Sequence, residues 1–137
     1  MQINPLSGES EPAPLWRLSF RAGFLFAGAY AVLAMARWLQ WTLFPGHWHA
    51  DLPPHWWHAH EMVFGFAMAV VAGFLLTAVA NWTGIPGTRG GRLQLLFGLW
   101  LLARGVLWLA PVWIWLPWAA ERLFMLLLLT ELTRRVW

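Results

Sequence analysis

The sequence predicts an all-α fold, a polytopic bundle of four transmembrane helices. Of its 137 residues 60% are hydrophobic and only 11% are charged, whereas soluble domains average about 25% charged residues. The apolar residues also group into four segments of roughly the 17 to 25 residues that a helix needs to cross a bilayer. The predicted spans are residues 22–44, 60–80, 93–110 and 117–133.

The residues before the first span differ in composition. Residues 1–15 are polar and rich in proline, so we expect a flexible N-terminal tail. The remaining residues, 16–137, are predicted to form one transmembrane domain in contact with the lipid bilayer. We expect the first apolar segment to be retained and not cleaved as a signal peptide, because it has the full length of a span.

The placement of the arginines predicts the orientation. They precede the first span, lie between the second and third spans, and follow the fourth, whereas residues 45–61 contain neither Lys nor Arg. Loops rich in Lys and Arg stay on the cytoplasmic side of a bacterial inner membrane. Both termini are therefore predicted to be cytoplasmic, with the five histidines in the periplasmic half of a multi-pass protein. The arginines concerned are Arg17, Arg21, Arg89, Arg92, Arg134 and Arg135.

The composition excludes several classes of function. The net charge is +3, but the basic residues are scattered over the ends of apolar segments and form no stripe that could follow a nucleic acid. The chain contains no cysteine, which leaves histidine, carboxylate and methionine as metal ligands. We find no glycine-rich phosphate loop and no nucleophile elbow, so neither a kinase nor a hydrolase is indicated.

A cluster of metal-ligand residue types stands directly before the second span. The candidate ligands are His58 and His60, with Glu61, Met62 and His55 beside them. In a helix that continues from Pro54, His55 and His58 stand at i and i+3, and Glu61 and Met62 stand three and four residues after His58, so one face could converge on a cation. At roughly 100° per residue, however, His60 points about 200° away from His58. Either the helix begins at or after His60, or the two histidines serve different centres; the alternative is that these polar residues merely occupy an aqueous interface.

The second span also carries a ridge of small residues. Gly65, Ala69 and Gly73 recur every four residues, a spacing that brings them onto one side of a helix. Small residues along one ridge allow neighbouring membrane helices to approach closely. The helix that bears the histidines is therefore predicted to be central to the bundle.

Three charged residues fall inside the third and fourth spans: Arg104, Glu121 and Arg122. An arginine at the centre of a bilayer costs about 2.5 to 3.5 kcal/mol on insertion scales, so it is expected to find a partner. Arg104 and Glu121 are the predicted interhelical pair. Otherwise such an arginine could hold a haem propionate or a substrate anion, and Arg122 could lie at an interface.

The order and spacing of several motifs resemble those of the NnrS family. The segment HAHEMVFGF, residues 58–66, is followed by AGFLLTAV at residues 72–79 and by NWTG at residues 81–84. Residues 16–21 resemble the entry motif of the family, which usually has proline where Ala22 stands, and residues 100–104 fit its third span. The likeness extends from Trp16 to the end of the chain.

This resemblance implies a bacterial inner-membrane protein that contains haem, of the b type, and copper, and that is linked to nitric oxide metabolism and nitrosative-stress resistance. It implies His58 and His60 as ligands, with Glu61 beside them, and nitric oxide as a partner. Members typically have about twelve spans, each long enough to cross a bilayer. The chain is therefore expected to be a truncated or N-terminal portion whose site is completed by further spans or a homo-oligomer. Whether it is an enzyme stays open.

Two other functions compete with this interpretation. In the first, the chain is a small transporter or channel subunit in which Arg104, Glu121 and Arg122 line a polar path. In the second, it is a metal-free membrane scaffold whose association depends on Gly65, Ala69 and Gly73. Neither alternative requires the histidines.

Overall fold

The computed structural model describes residues 12–47, 52–109 and 115–137. Within these ranges the chain is all-helical, with four long helices and no strand. We number them α1, Ser19–Leu43; α2, Pro54–Thr83; α3, Gly91–Leu109; and α4, Trp115–Val136. Most of the predicted flexible tail, residues 1–11, lies outside the described residues, as does His49 in the predicted outer loop.

Three of these helices, α1, α2 and α3, are long and apolar enough to cross a membrane. The fourth, α4, has 22 residues but is not among those three. It carries Glu121, Arg122 and Glu131, and each charge reduces its apolar character. The all-helical class is thus confirmed, and three of the four predicted spans are supported by length and composition.

Helix α2 begins before the apolar segment that it contains. Pro54 occupies its first turn, where the fixed φ of proline suits a helix and its missing N–H is not needed. The helix ends where Gly84 takes a left-handed conformation, φ 69°, and donates its N–H to the carbonyl of Ala80 at 3.0 Å. His58 and His60 therefore lie inside the helix, which excludes a helix that starts at or after His60.

A π-helical segment, Glu61–Ala67, interrupts α2 immediately after the histidines. At its end Met68 donates its N–H to the carbonyl of Val63, five residues earlier. Such segments are rare and occur often at functional sites. Here both Glu61 and Gly65 are buried within the bundle.

Helices α1 and α2 meet through their backbones. A Cβ atom added to Gly23 would lie 2.6 Å from the Cα of Gly73, and one added to Gly65 would lie 2.3 Å from the ring of Tyr30. Ala69, between these two contacts, is completely buried. The ridge of small residues on α2 is therefore a packing surface, as predicted, and it faces α1.

One end of the bundle is held together by polar contacts. Gly90 donates its N–H to the carbonyl of Trp16 at 2.9 Å, and Ser19 donates its hydroxyl to the carbonyl of Thr88 at 2.9 Å. Arg135 near the end of α4 reaches the carbonyl of Pro86 at 3.2 Å. The start of α1, the connection from α2 to α3 and the end of α4 thus meet, so the helices alternate in direction.

Candidate functional site

The carboxylate of Glu61 lies at the centre of a polar cluster inside the bundle. It has no solvent-exposed surface. The hydroxyl of Tyr30 on α1 donates to its Oε2 atom, and Nη1 of Arg104 on α3 lies 3.2 and 3.1 Å from its two oxygen atoms. The alternative that these polar residues merely occupy an aqueous interface does not hold for Glu61, because the side chains of Tyr30, His60 and Arg104 enclose its carboxylate.

A second carboxylate reaches the same arginine from α4. Nη2 of Arg104 forms an ion pair with Oε1 of Glu121, which confirms the interhelical pair predicted from the cost of a buried arginine. Arg104 is only 3% exposed, and two carboxylates from different helices surround it. The guanidinium therefore joins α2, α3 and α4 in the interior.

His60 stands between the two carboxylates. Its Nδ1 atom lies 2.9 Å from Oε1 of Glu61, and its Nε2 atom lies 3.3 Å from Oε2 of Glu121. A neutral imidazole has one N–H and can donate to only one of them, whereas an imidazolium can donate to both. In either case both ring nitrogens face carboxylate oxygens, so neither is open to a metal ion in this arrangement.

His58 has different surroundings. Its ring stacks on Trp38 of α1, with centroids 4.4 Å apart and the planes inclined by 24°. Its Nδ1 atom is buried and has no hydrogen-bond partner among the described residues. His58 and His60 therefore have separate neighbours and do not converge on one site in this structure.

The other ligand candidates do not converge on His58. His55 is exposed with its ring beside Trp56, and Met62 packs partly buried against the apolar core. The predicted cation-binding face through His55, His58, Glu61 and Met62 is not assembled in this structure, in which Glu61 contacts Tyr30 and Arg104. No group of three or more His, Asp or Glu residues in the described part of the chain has the arrangement of a metal site.

The comparison with protein families identifies the chain. The model of the NnrS protein family matches residues 14–137. The chain belongs to the NnrS family. Searches of curated proteins and of solved structures found no match. Together with its three long apolar helices, this membership makes the NnrS chain a membrane protein.

Aromatic residues that were not predicted as site residues from the sequence complete the site of this NnrS chain. Trp108 donates its indole N–H to the hydroxyl of Tyr30 at 3.1 Å, and Trp100 donates to the carbonyl of Gly65 at 3.0 Å. A signal was present, because Tyr30 is the only tyrosine of the chain and interrupts an apolar span. Its hydroxyl needs a partner in the membrane interior.

Arg122 takes no part in the buried cluster. Its side chain is exposed, and its guanidinium carbon lies 5.9 Å from the ring centroid of Trp118 one turn earlier. Among the predicted intramembrane charges, Arg104 and Glu121 are thus brought together and Arg122 is not.

Proposed function

We propose that this NnrS chain is a haem- and copper-binding protein of the bacterial inner membrane that acts in nitric oxide metabolism or resistance to nitrosative stress. The match to the family over residues 14–137 supports the proposal. The single observation of the structure that carries it is the Nδ1 atom of His58, which is buried and unpartnered among the described residues. A buried polar atom without a partner costs about 1 to 3 kcal/mol, a cost that a bound metal would remove.

The residues of this chain fit a haem iron or a copper ion in part. Haem iron or copper, when bound, supplies the position at which nitric oxide coordinates, and imidazole is a ligand for both metals. His58 would hold the metal, with its ring oriented by Trp38. His60 does not fit a ligand in its present contacts, and we assign it to holding Glu61 and Glu121 in place. A second copy of the chain or further transmembrane segments would supply the remaining ligands.

We also propose four spans with both termini in the cytoplasm. The two carboxylates of α4, which would oppose insertion, have partners inside the bundle, since Glu121 pairs with Arg104 and Glu131 pairs with Arg135. The alternating helices bring the arginine-rich ends to one side, and that side is cytoplasmic in bacteria. The end at which His58 stacks on Trp38 then belongs to the periplasmic half.

The test is an absorption spectrum with metal analysis of the detergent-purified protein, oxidised and reduced, with and without nitric oxide. We expect a haem Soret band that shifts when nitric oxide is added. His58→Ala should lower haem or copper affinity at least about tenfold, whereas His55→Ala, the matched control at an exposed position, should retain the metal. Wild-type metal content in His58→Ala would contradict the proposal, whereas a colourless, metal-free wild-type protein would mean either that further transmembrane segments supply essential ligands or that the chain is a metal-free scaffold.

A further inference from the structure

A pocket of about 330 Å³ lies where α1 begins and α2 ends. Both helices are long and apolar enough to cross a membrane, so the start of the first and the end of the second mark one membrane surface. The volume is near the lower limit of small-molecule sites, about 300 to 1,000 Å³. The pocket can therefore hold the head group of a lipid, while the acyl chains stay outside it along the helices.

Two arginines line this pocket, Arg17 before α1 and Arg89 in the connection from α2 to α3. Both are exposed, so their guanidinium groups can reach a ligand. The exposed Asn81 adds an amide group at the end of α2. None of the described residues that line the pocket is acidic. Its charge therefore favours an anion.

Two hydrogen bonds hold the segments that carry these arginines together. Gly90 donates its N–H to the carbonyl of Trp16 at 2.9 Å, and Ser19 donates its hydroxyl to the carbonyl of Thr88 at 2.9 Å. Each arginine lies between the two bonded positions of its own segment, so both are kept on the same rim. Like charges on one rim repel each other, and an anion between them removes that cost.

A single described carboxylate lies behind the wall of the pocket, that of Glu131 on α4. Thr88 donates its hydroxyl to Oε2 of Glu131 at 2.9 Å. Glu131 is only 2% exposed, and it forms ion pairs with Arg92, Arg134 and Arg135. These three arginines outweigh its charge, and none of them lines the pocket. The pocket thus stays positively charged.

Apolar side chains beside the arginines distinguish a lipid from a free anion. Leu18 and Ile85 line the same pocket and are 49% and 45% exposed. An inorganic phosphate ion would leave both in contact with water, whereas a phospholipid would cover them with its acyl chains. A zwitterionic lipid fits less well, because its ammonium group would meet two guanidinium groups and no carboxylate among the lining residues.

We propose that this pocket binds the head group of an anionic phospholipid such as phosphatidylglycerol, with the phosphate between Arg17 and Arg89 and the acyl chains over Leu18 and Ile85. Basic pockets between membrane helices bind anionic head groups in this way. The proposal goes beyond the haem and copper function and is independent of it, since no histidine lines the pocket.

The test titrates the detergent-purified protein with dioleoylphosphatidylglycerol and measures the affinity of the first bound lipid by native mass spectrometry. Dioleoylphosphatidylcholine, which has the same acyl chains, is the head-group control. Arg89→Gln removes one positive charge from the rim of the pocket. Arg134→Gln, the matched control, removes the same charge at an exposed position at the same end of the bundle that does not line the pocket. Both variants must keep the helical circular dichroism and the elution of the wild type, and Arg17→Gln replaces Arg89→Gln if the latter does not fold.

We expect the wild type to bind phosphatidylglycerol more tightly than phosphatidylcholine. Arg89→Gln should weaken binding of phosphatidylglycerol about fivefold, the effect of one arginine beside an anionic membrane surface, and Arg134→Gln should bind it like the wild type. Equal affinities for the two lipids, or equal losses in the two variants, would overturn the proposal. Displacement of phosphatidylglycerol by inorganic phosphate at equal concentration would assign the pocket to a free anion and would overturn it as well.

Discussion

Tyr30 and Glu61, 31 residues apart in the chain, share a hydrogen bond in the interior of the bundle. The tyrosine ring fits there because Gly65, four residues after Glu61, has no side chain to occupy its place. The same hydroxyl accepts the indole N–H of Trp108. One side chain of α1 thereby orients groups on both α2 and α3.

Tyr30→Phe tests this relationship, since it keeps the ring and removes only the hydroxyl. Glu61 loses a donor and Trp108 loses an acceptor, so the free energy of unfolding should fall by about 1 to 3 kcal/mol. Reversible unfolding in mixed micelles, followed by circular dichroism, measures the change. Thr42→Val is the control, because the described hydrogen bond of its hydroxyl is to the carbonyl of Trp38 within α1 and the residue is exposed. Equal stability of Tyr30→Phe and wild type would refute the shared role of the hydroxyl.

A double-mutant cycle sharpens the same test. If the hydroxyl and the indole of Trp108 act as one unit, adding Trp108→Phe to Tyr30→Phe should cost less than it costs in the wild type. Additive losses would show that the two groups are energetically independent.

The approach of α1 to α2 makes a second prediction. An alanine at position 23 would place its Cβ 2.6 Å from the Cα of Gly73 and 2.9 Å from the carbonyl oxygen of Ala69, so the helices must move apart. Overpacking of this kind costs about 1 to 3 kcal/mol. Gly23→Ala should therefore lower the free energy of unfolding, as measured in the same micelles.

Gly28 provides the matched control for this substitution. It lies on the same helix, and a Cβ there would meet nothing within 4 Å. Gly28→Ala should be neutral or slightly stabilising, because alanine is the better helix former. If the two alanine variants behaved alike, the backbone contact between Gly23 and Gly73 would not contribute to stability.

The sequence predicts some interactions of the buried cluster and of the helix packing better than others, and the kind of interaction makes the difference. The pair Arg104 and Glu121 followed from the cost of an unpartnered charge in a membrane, and the ridge through Gly65 and Gly73 followed from periodicity. Both arguments use only the spacing of residues along single helices and the requirement for a partner. They hold whatever the details of the packing.

The contacts of Glu61 required information that spacing does not contain. The face predicted through His58, Glu61 and Met62 assumed a regular helix that continues from Pro54, whereas α2 starts at Pro54 but becomes π-helical at Glu61 itself. Nothing in the local sequence indicated that change of helix type. The packing of three helices therefore decided which of several acceptors Tyr30 and Arg104 would reach.

The buried arginine makes a third prediction. Arg104→Met removes the guanidinium that contacts both Glu61 and Glu121, and breaking a buried ion pair in this way costs about 3 to 5 kcal/mol. Arg122→Met, at the exposed position beside Glu121, should change the free energy of unfolding little. The triple variant Arg104→Met, Glu61→Gln, Glu121→Gln should recover part of the loss.

The same variants distinguish a structural arginine from one that lines a transport path. If the role of Arg104 is structural, the triple variant should recover both stability and membrane yield, and fluorescence-detected gel filtration measures the yield. A fully stable Arg104→Met protein would contradict the structural role and would favour the transporter alternative.

The stacking of His58 on Trp38 makes the last prediction, which rests on the proposed metal ligation. Trp38→Leu removes the plane that fixes the imidazole and should weaken haem or copper binding by about tenfold, the lower end of the effect of losing a group that orients a ligand. Trp56→Leu is the control, since Trp56 is exposed on α2 and its described ring contact is with His55. Metal titration followed by the Soret band or by copper analysis gives the affinities. Equal affinities for the two variants would mean that the stack does not orient a ligand, even if His58→Ala loses the metal.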